Sequence, residues 1–236
     1  MITTVLFDLD GTLLPFGSED FIRLYFGGLC KKLAPLGFEP KTLTKDVWSS
    51  TEAMVRNDGT RINHDVFWET FKVNNPEKPD VEPHCDDFYT HEFDGVKQCL
   101  KYAVDRRPIV ERLNSAGLQL ILATNPLFPR CALETRLSWA GLKGSDFSYI
   151  TSYENSSFCK PNPKYYAEIL EKCGKQPSEC IMVGNHIEED MLPASSVGIE
   201  VFLVPEFLEN PENKDISAFR QGSLEDAERF VINGKL

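Results

Sequence analysis

The feature that most constrains the fold of this chain is an apolar segment near the N-terminus that stops at two aspartates. Residues 2–7 have a strand-like pattern, and Asp8, Leu9, Asp10 and Gly11 follow directly. In an extended strand, residues i and i+2 point to the same side, so we expect the two carboxylates to face one way. Gly11 permits a sharp turn as the chain leaves the strand. The stretch predicts either a site with paired carboxylates or an ordinary Asp-Gly turn at a strand end.

From residue 108 onward, helical and strand-like segments alternate along the chain. Such alternation is typical of a parallel sheet covered by helices. The sequence therefore predicts an α/β fold with a doubly wound, Rossmann-like parallel sheet. The expected strands are residues 118–123, 147–151, 180–183 and 200–204, and the expected helices are residues 108–116, 129–140, 161–174, 188–197 and 223–232.

Between Ser18 and Asp94 the pattern has helical periodicity and contains no convincing strand. We expect helices at about 18–37 and 41–56, a third beginning at Asn63, and a short aromatic helix around Phe88. The prediction is a Rossmann-like core of residues 1–15 and 96–236, with an all-helical cap of residues 16–95 inserted after the first strand. We call residues 16–95 the helical block.

Composition narrows the classes of partner. The chain has 236 residues and is 42% hydrophobic, enough for one sizeable core with a small second domain. A net charge of −11 disfavours nucleic acid and anionic membrane as partners. The seven scattered cysteines include no C-x-x-C pair, which favours reduced thiols. With no leader-like start and no apolar run of about 20 residues, the expectation is a cytoplasmic protein.

Polar residues follow several predicted strands at the point where each strand ends. Thr124 and Asn125 come after residues 118–123, and Asn185 comes after residues 180–183. In doubly wound sheets, sites form outside the carboxyl ends of the strands. These side chains are therefore expected near Asp8 and Asp10, and the ordered set makes a functional site the better interpretation of the opening stretch.

In these motifs the sequence resembles the haloacid dehalogenase superfamily, in the phosphatase branch that has a helical cap of the C1 type. The residues Asp8-Leu9-Asp10-Gly11-Thr12 resemble the first motif, D-x-D-x-T. Thr124 at a strand end resembles the second motif, and Lys160 before Pro161 resembles the third. Residues 184–190, Gly-Asn-His-Ile-Glu-Glu-Asp, stand at the fourth motif, which usually reads G-D followed by a further Asp.

The resemblance implies a Mg²⁺-dependent phosphatase that acts on a small phosphorylated metabolite. Asp8 would be the nucleophile and form a phosphoaspartate, and Asp10 would serve as acid and base. Thr124 and the Asn125 backbone N–H would bind phosphate, while Lys160 would offset negative charge there and act in catalysis. The implied Mg²⁺ ligands, listed together, are Asp8, the main-chain carbonyl of Asp10, and Asn185 or Asp190.

The departure from the family pattern is Asn185, a neutral amide where an aspartate ligand is expected. Asp190 is then expected either to bind the metal or to orient Lys160, and His186 is expected at the rim of the site. Three alternatives stay open: phosphoryl transfer of the mutase type, haloacid dehalogenation, and a phosphate-binding module with weakened catalysis. Asp10 argues against dehalogenation, because the dehalogenase branch lacks it. The sequence is compatible with a monomer or a homodimer.

Overall fold

The apolar segment near the N-terminus becomes the central strand of a five-stranded sheet in the computed structural model, which describes residues 1–233. All pairings are parallel, and the strand order is β3-β2-β1-β4-β5. The prediction of an α/β fold with a doubly wound parallel sheet is confirmed. The strands are β1 Thr4–Phe7, β2 Gln119–Leu122, β3 Tyr149–Ile150, β4 Cys180–Gly184 and β5 Glu200–Leu203.

The two faces of the sheet are buried under different helices, which is why the strands are mostly apolar after their first residues. Val5 and Phe7 of β1 belong to a core shared with the helical block, whereas Leu6 belongs to a second core on the opposite face. Alternate residues of a strand point to opposite faces, so burial on both sides favours apolar residues at nearly every position. The polar residues are consequently displaced to the strand ends.

The segment between β1 and the rest of the core is helical, as the sequence predicts. Helices α1 Ser18–Leu33, α2 Pro40–Val55, α3 Asn63–Asn74 and α4 Glu82–His91 are followed by a 3-10 segment, Phe93–Cys99. Phe21 and Tyr25 of α1 belong to the same apolar core as Phe7, so this segment packs onto the sheet unit. The division at residues 15 and 96 stays a prediction.

The remaining helices are α5 Arg107–Ser115, α6 Arg130–Trp139, α7 Pro163–Cys173, α8 Leu192–Ser196 and α9 Leu224–Asn233. Two predictions were wrong in detail. The strand expected at 147–151 pairs over only two residues, and the helix expected at 188–197 begins as a π-helical turn, Ile187–Met191. Pro193, in the first turn of α8, has no backbone N–H, so it cannot donate a hydrogen bond to a carbonyl of the π-helical turn before it. Within residues 1–233, no helix combines the length and apolar character needed to cross a bilayer.

Candidate active site

A buried lysine between two carboxylates forms the centre of the site. Lys160 Nζ lies 2.8 Å from Asp8 Oδ1 and 2.6 Å from Asp190 Oδ1, and the Lys160 side chain is 1% exposed. Burial acts to lower the pKa of Lys160, but the carboxylates of Asp190 and Asp8 outweigh it and hold that pKa well above its ordinary value. The lysine is therefore charged, and it places one positive charge between two negative ones.

Asp8 stands at the end of β1 and keeps part of its carboxylate free. Burial raises the pKa of Asp8 from 3.8 to about 6, and the ammonium of Lys160 opposes that rise. Strands β2 and β4 flank β1, and the Asp8 N–H donates to Val183 O at 2.9 Å, which fixes the backbone. Asp8 is 8% exposed and lines a cavity. A poorly solvated carboxylate with an open side suits a nucleophile.

Asp190 is engaged at both of its carboxylate oxygens. Oδ1 accepts from Lys160, and Oδ2 accepts from the backbone N–H groups of Asn185 at 3.1 Å and His186 at 3.0 Å. The carboxylate also presses against Gly184, where a Cβ would lie 2.3 Å from Oδ2, so only glycine fits at that position. These contacts make Asp190 a support for the lysine and for the turn after β4.

Asp10 is paired with an arginine that the sequence analysis missed. Arg136 of α6 forms an ion pair with Asp10, is 1% exposed, and stacks over the rings of Phe21 and Phe128 with its Cζ 5.0 and 5.3 Å from their centres. Burial raises the pKa of Asp10, and Arg136 opposes the rise. The sequence did contain an indication of this pairing. Arg136 lies on the same apolar face of its helix as Leu133, and a buried arginine requires an acidic partner.

Thr124 and Asn125 lie at the end of β2 with hydrogen-bond donors to spare. The Thr124 carbonyl is held by the hydroxyls of Thr151 at 2.7 Å and Tyr165 at 2.8 Å. Among the described residues, the Thr124 hydroxyl and the Asn125 backbone N–H have no hydrogen-bond partner. The Asn125 side chain donates to Glu189 Oε2 at 3.0 Å. Both free donors belong to residues that line the same cavity as Asp8, an arrangement that suits an anion.

Asn185 lies at the end of β4 with its amide fixed at both ends. Its Nδ2 donates to Phe207 O at 2.6 Å, and its Oδ1 accepts from the Thr12 hydroxyl at 3.1 Å. Gly11 lies directly against this amide: its φ is +77°, and a Cβ there would lie 2.3 Å from Asn185 Nδ2. The Thr12 hydroxyl therefore bonds to a residue of another strand end and not within its own turn. The amide oxygen faces the first motif and keeps one lone pair.

A metal ion at this edge of the sheet would be bound by oxygen atoms of three kinds: a carboxylate, a main-chain carbonyl and a side-chain amide. Within residues 1–233, no three His, Cys, Asp or Glu side chains are grouped as ligands of one ion. The open side of Asp8, the main-chain carbonyl of Asp10 and the amide oxygen of Asn185 are the hard oxygen donors that Mg²⁺ accepts. The donor set therefore fits Mg²⁺ in chemistry, with one negative charge among the three protein groups.

The candidate residues other than Lys160 line one cavity, although they come from distant parts of the sequence, and Lys160 lies behind Asp8. The cavity has a volume of about 310 Å³ and is lined by residues of the core and of α1–α4. The core residues that line it include Asp8, Asp10, Thr124, Asn125, Asn185, His186 and Asp190. His186 accepts at Nδ1 from the Glu189 N–H at 3.2 Å, so it caps the π-helical turn as well as lining the cavity.

Comparison with known proteins identifies the family to which the chain belongs. The model of the haloacid dehalogenase-like hydrolase family matches residues 2–198. A haloacid dehalogenase-like hydrolase domain-containing protein 3 from Danio rerio is 31% identical over 48% of this chain and 45% of its own length. Pyrophosphatase PpaX from Halalkalibacterium halodurans is 26% identical over 86% of this chain and 83% of its own length.

Among solved structures, a 2-haloacid dehalogenase from Pseudomonas syringae is similar in fold, with a TM-score of 0.62 and 20% identity over 99% of both chains. At that identity the likeness shows the fold alone. The family match covers most of the chain, from residue 2 to residue 198. The chain belongs to the haloacid dehalogenase-like hydrolase family, and it is an enzyme of that family with phosphatases among its relatives.

Proposed function

We propose that this protein is a Mg²⁺-dependent phosphomonoesterase that acts on a small phosphorylated metabolite through a phosphoaspartate at Asp8. The observation that carries the proposal is the buried Lys160, which lies 2.8 Å from Asp8 and 2.6 Å from Asp190 beside the cavity. A buried cation next to a nucleophile would offset the charge of a bound phosphate. The names of the relatives favour phosphate chemistry and do not specify the substrate.

The reaction takes place in two displacements at phosphorus. An Asp8 oxygen attacks phosphorus and forms the acyl phosphate, while the ester oxygen leaves with its electron pair and takes a proton from Asp10. Asp10 then removes a proton from water, the water oxygen attacks phosphorus, and the bond to Asp8 breaks. The products are the alcohol and inorganic phosphate, and Asp8 and Asp10 return to their initial states.

The surrounding residues have distinct parts in this scheme. The Thr124 hydroxyl and the Asn125 N–H donate to phosphoryl oxygens, since the described residues leave both donors free. Asp190 positions Lys160, because both of its oxygens are already used. Arg136 positions Asp10 and limits the rise in its pKa that burial causes.

Magnesium fits the donor chemistry of the site. Asp8, the carbonyl of Asp10 and the side chain of Asn185 would hold it; Asp190, already engaged at both oxygens, would support the turn that carries Asn185. When bound, the ion neutralises phosphate charge so that an anionic carboxylate can approach. An amide in place of a carboxylate predicts weaker retention of the ion, since ligand charge sets affinity.

The alternatives differ in what they require of Asp10. In dehalogenation no leaving oxygen needs a proton, so an acid at Asp10 held by the buried Arg136 would serve no purpose. Phosphoryl transfer uses the same residues with a sugar or other alcohol in place of water. A phosphate-binding module would use the donors of Thr124 and Asn125 without turnover.

The direct test is release of phosphate from p-nitrophenyl phosphate with and without Mg²⁺. We expect turnover that depends on the ion and is lost in Asp8→Asn, while the exposed control Asp80→Asn retains it. Full turnover by Asp8→Asn would overturn the mechanism. Phosphoryl transfer would be detected as a new phosphorylated product when acceptor sugars are added. Tight phosphate binding without turnover would favour the binding module.

A further inference from the structure

The cavity that holds the catalytic carboxylates extends into the helical block, where its walls are apolar and largely aromatic. Phe21 and Tyr25 of α1 line it, as do Phe67 and Trp68 of α3 and Phe128 of the core. Its volume of about 310 Å³ is within the range of small-molecule sites. The part beyond Asp8 and Asp10 is therefore available to the organic portion of a substrate.

The walls of this cavity carry no lysine or arginine among residues 1–233, and the histidine that lines it, His186, lies on the core side between Glu188 and Glu209. Three arginines of the helical block that could have reached a substrate are paired on the protein surface instead. Arg23 is paired with Asp20, Arg56 with Glu52, and Arg61 with Glu69. The acidic residues Glu189 and Glu209 do line the cavity on the core side. A second anionic group on the substrate would enter without a counter-charge.

Three hydroxyl groups in the walls, those of Tyr25, Tyr89 and Thr51, are already bonded to protein. The hydroxyls of Tyr25 and Tyr89 lie 2.9 Å apart and bond to each other, and the Thr51 hydroxyl donates to Val47 O at 2.9 Å. A sugar or polyol in this space would exchange most of its water hydrogen bonds for contacts with rings and methyl groups, although the buried Trp68 Nε1 has no partner among the described residues and could donate to one hydroxyl. Unpaired polar groups are costly to bury, so these walls disfavour such a leaving group.

We propose that the substrates are phosphate monoesters of an uncharged, largely hydrocarbon alcohol, with the hydrocarbon seated among α1, α2 and α3. This inference rests on the proposed phosphatase function and specifies its leaving group. The phosphate would lie against Asp8, Thr124 and Lys160. The ester oxygen would lie beside Asp10, and the hydrocarbon attached to it would extend between the apolar walls. Phe26 and Trp48, whose rings lie 5.7 Å apart, line the outer end, where Trp48 is 48% exposed.

The first experiment measures kcat/KM for ethyl, butyl and hexyl phosphates with Mg²⁺ present. These esters have leaving groups of nearly equal basicity, so the comparison isolates contact with the walls. Each methylene that becomes buried raises kcat/KM by up to about fourfold, because its burial is worth about 0.8 kcal/mol and tenfold corresponds to about 1.4 kcal/mol. A flat or falling series overturns the proposal.

The second experiment adds a charge to the same chain. Hexyl phosphate is compared with the ester of equal length that ends in a carboxylate, and with inorganic pyrophosphate. We expect the carboxylate to lower kcat/KM by at least about tenfold, because it would be buried with no cation nearby. Equal or faster turnover of the charged ester would contradict the apolar character assigned to this part of the site.

Substitutions in the helical block provide the structural control. Val47 of α2 lines the cavity and is 6% exposed, so Val47→Phe fills it and reduces the ratio of hexyl to ethyl turnover. Val73→Phe adds the same bulk on α3 at a position that is 71% exposed and outside the cavity, and it leaves the ratio unchanged. If Val47→Phe fails to fold, Val47→Ala enlarges the cavity and increases the preference for longer chains.

These outcomes separate the two proposals. If no ester releases phosphate, the proposed function fails together with the inference that rests on it. If all esters are hydrolysed at equal rates, or if Val47 and Val73 variants give the same ratio, the phosphatase function stands and the assignment of the leaving group is wrong.

Discussion

Replacing Asp8 by Asn is expected to stabilise the protein, and to do so increasingly as the pH rises. Burial raises the pKa of Asp8 from 3.8 to about 6 in the folded state. The folded protein therefore binds this proton more tightly than the unfolded chain does. As the pH rises through the interval from 3.8 to about 6, folding loses stability at this residue, and the loss is complete above the folded pKa.

The magnitude follows from that rise in pKa. At about 1.4 kcal/mol for each pKa unit, the rise from 3.8 to about 6 is equivalent to about 3 kcal/mol of stability lost by neutral pH. Asp8→Asn removes the ionisation and leaves Lys160 with Asp190, a neutral pair. The variant also loses one hydrogen bond to Lys160, but that loss hardly changes with pH. The pH dependence of the difference between the two proteins thus isolates the buried charge.

The assay is urea unfolding of wild type and Asp8→Asn, with EDTA present, from about pH 4 to about pH 8. Relative to wild type, the free energy of unfolding of the variant should increase by about 2.5 kcal/mol across this range, because a small part of the effect is already lost at the lower end. Asp80→Asn, at an exposed position, gives the background for removing a surface carboxylate. A difference between wild type and Asp8→Asn that stays constant with pH would refute the reasoning.

Three further predictions concern the residues around Asp8. Lys160→Met leaves two buried carboxylates without their cation and should cost about 3–5 kcal/mol in urea unfolding at neutral pH, with loss of phosphate release. Arg136→Met should raise the pKa of Asp10 further and move the corresponding limb of the pH–rate profile to higher pH; Arg130→Met, on the same helix and 39% exposed, should leave the profile unchanged. Asn185→Asp should tighten Mg²⁺ binding by about tenfold in isothermal titration, through its added charge, and an unchanged affinity would count against this ligand.

The sheet and its helices were predictable because both follow from periodicity. The segment 118–123 is apolar except for Gln119 and ends in Thr124, and the structure makes its central part the strand beside β1. Polar residues placed at strand ends converge by the topology of a parallel sheet, so their meeting could be expected without coordinates. The helical block was equally predictable, because its apolar residues recur at helical spacing and no strand pattern interrupts them.

The unpredicted features are contacts between distant segments. The ion pair of Arg136 with Asp10 depends on how α6 is rotated against the first motif, which helical periodicity does not specify. The Thr12 hydroxyl bonds to Asn185, which lies 173 residues further along the chain, and local sequence patterns carry no information about such a contact. The π-helical turn at 187–191 arises because Asp190 is held by two backbone N–H groups and by Lys160.

The apolar cavity could not be foreseen for a different reason. Phe21, Tyr25 and Phe67 have the spacing of ordinary core residues on their helices, and most of their surface is buried. Whether such side chains meet their neighbours or leave a space between helices depends on the crossing of the helices, which the residue pattern leaves open. The structure leaves that space beside Asp8, and this placement connects the packing of the helical block to the choice of substrate.

The most direct test of the account is to trap the covalent intermediate. The enzyme is mixed with p-nitrophenyl phosphate and Mg²⁺, quenched in acid during turnover, digested, and analysed by mass spectrometry. The account predicts one added phosphoryl group on the peptide that carries Asp8, and no such peptide from Asp8→Asn. A phosphoryl group on another residue, or turnover by Asp8→Asn at the wild-type rate, would contradict it.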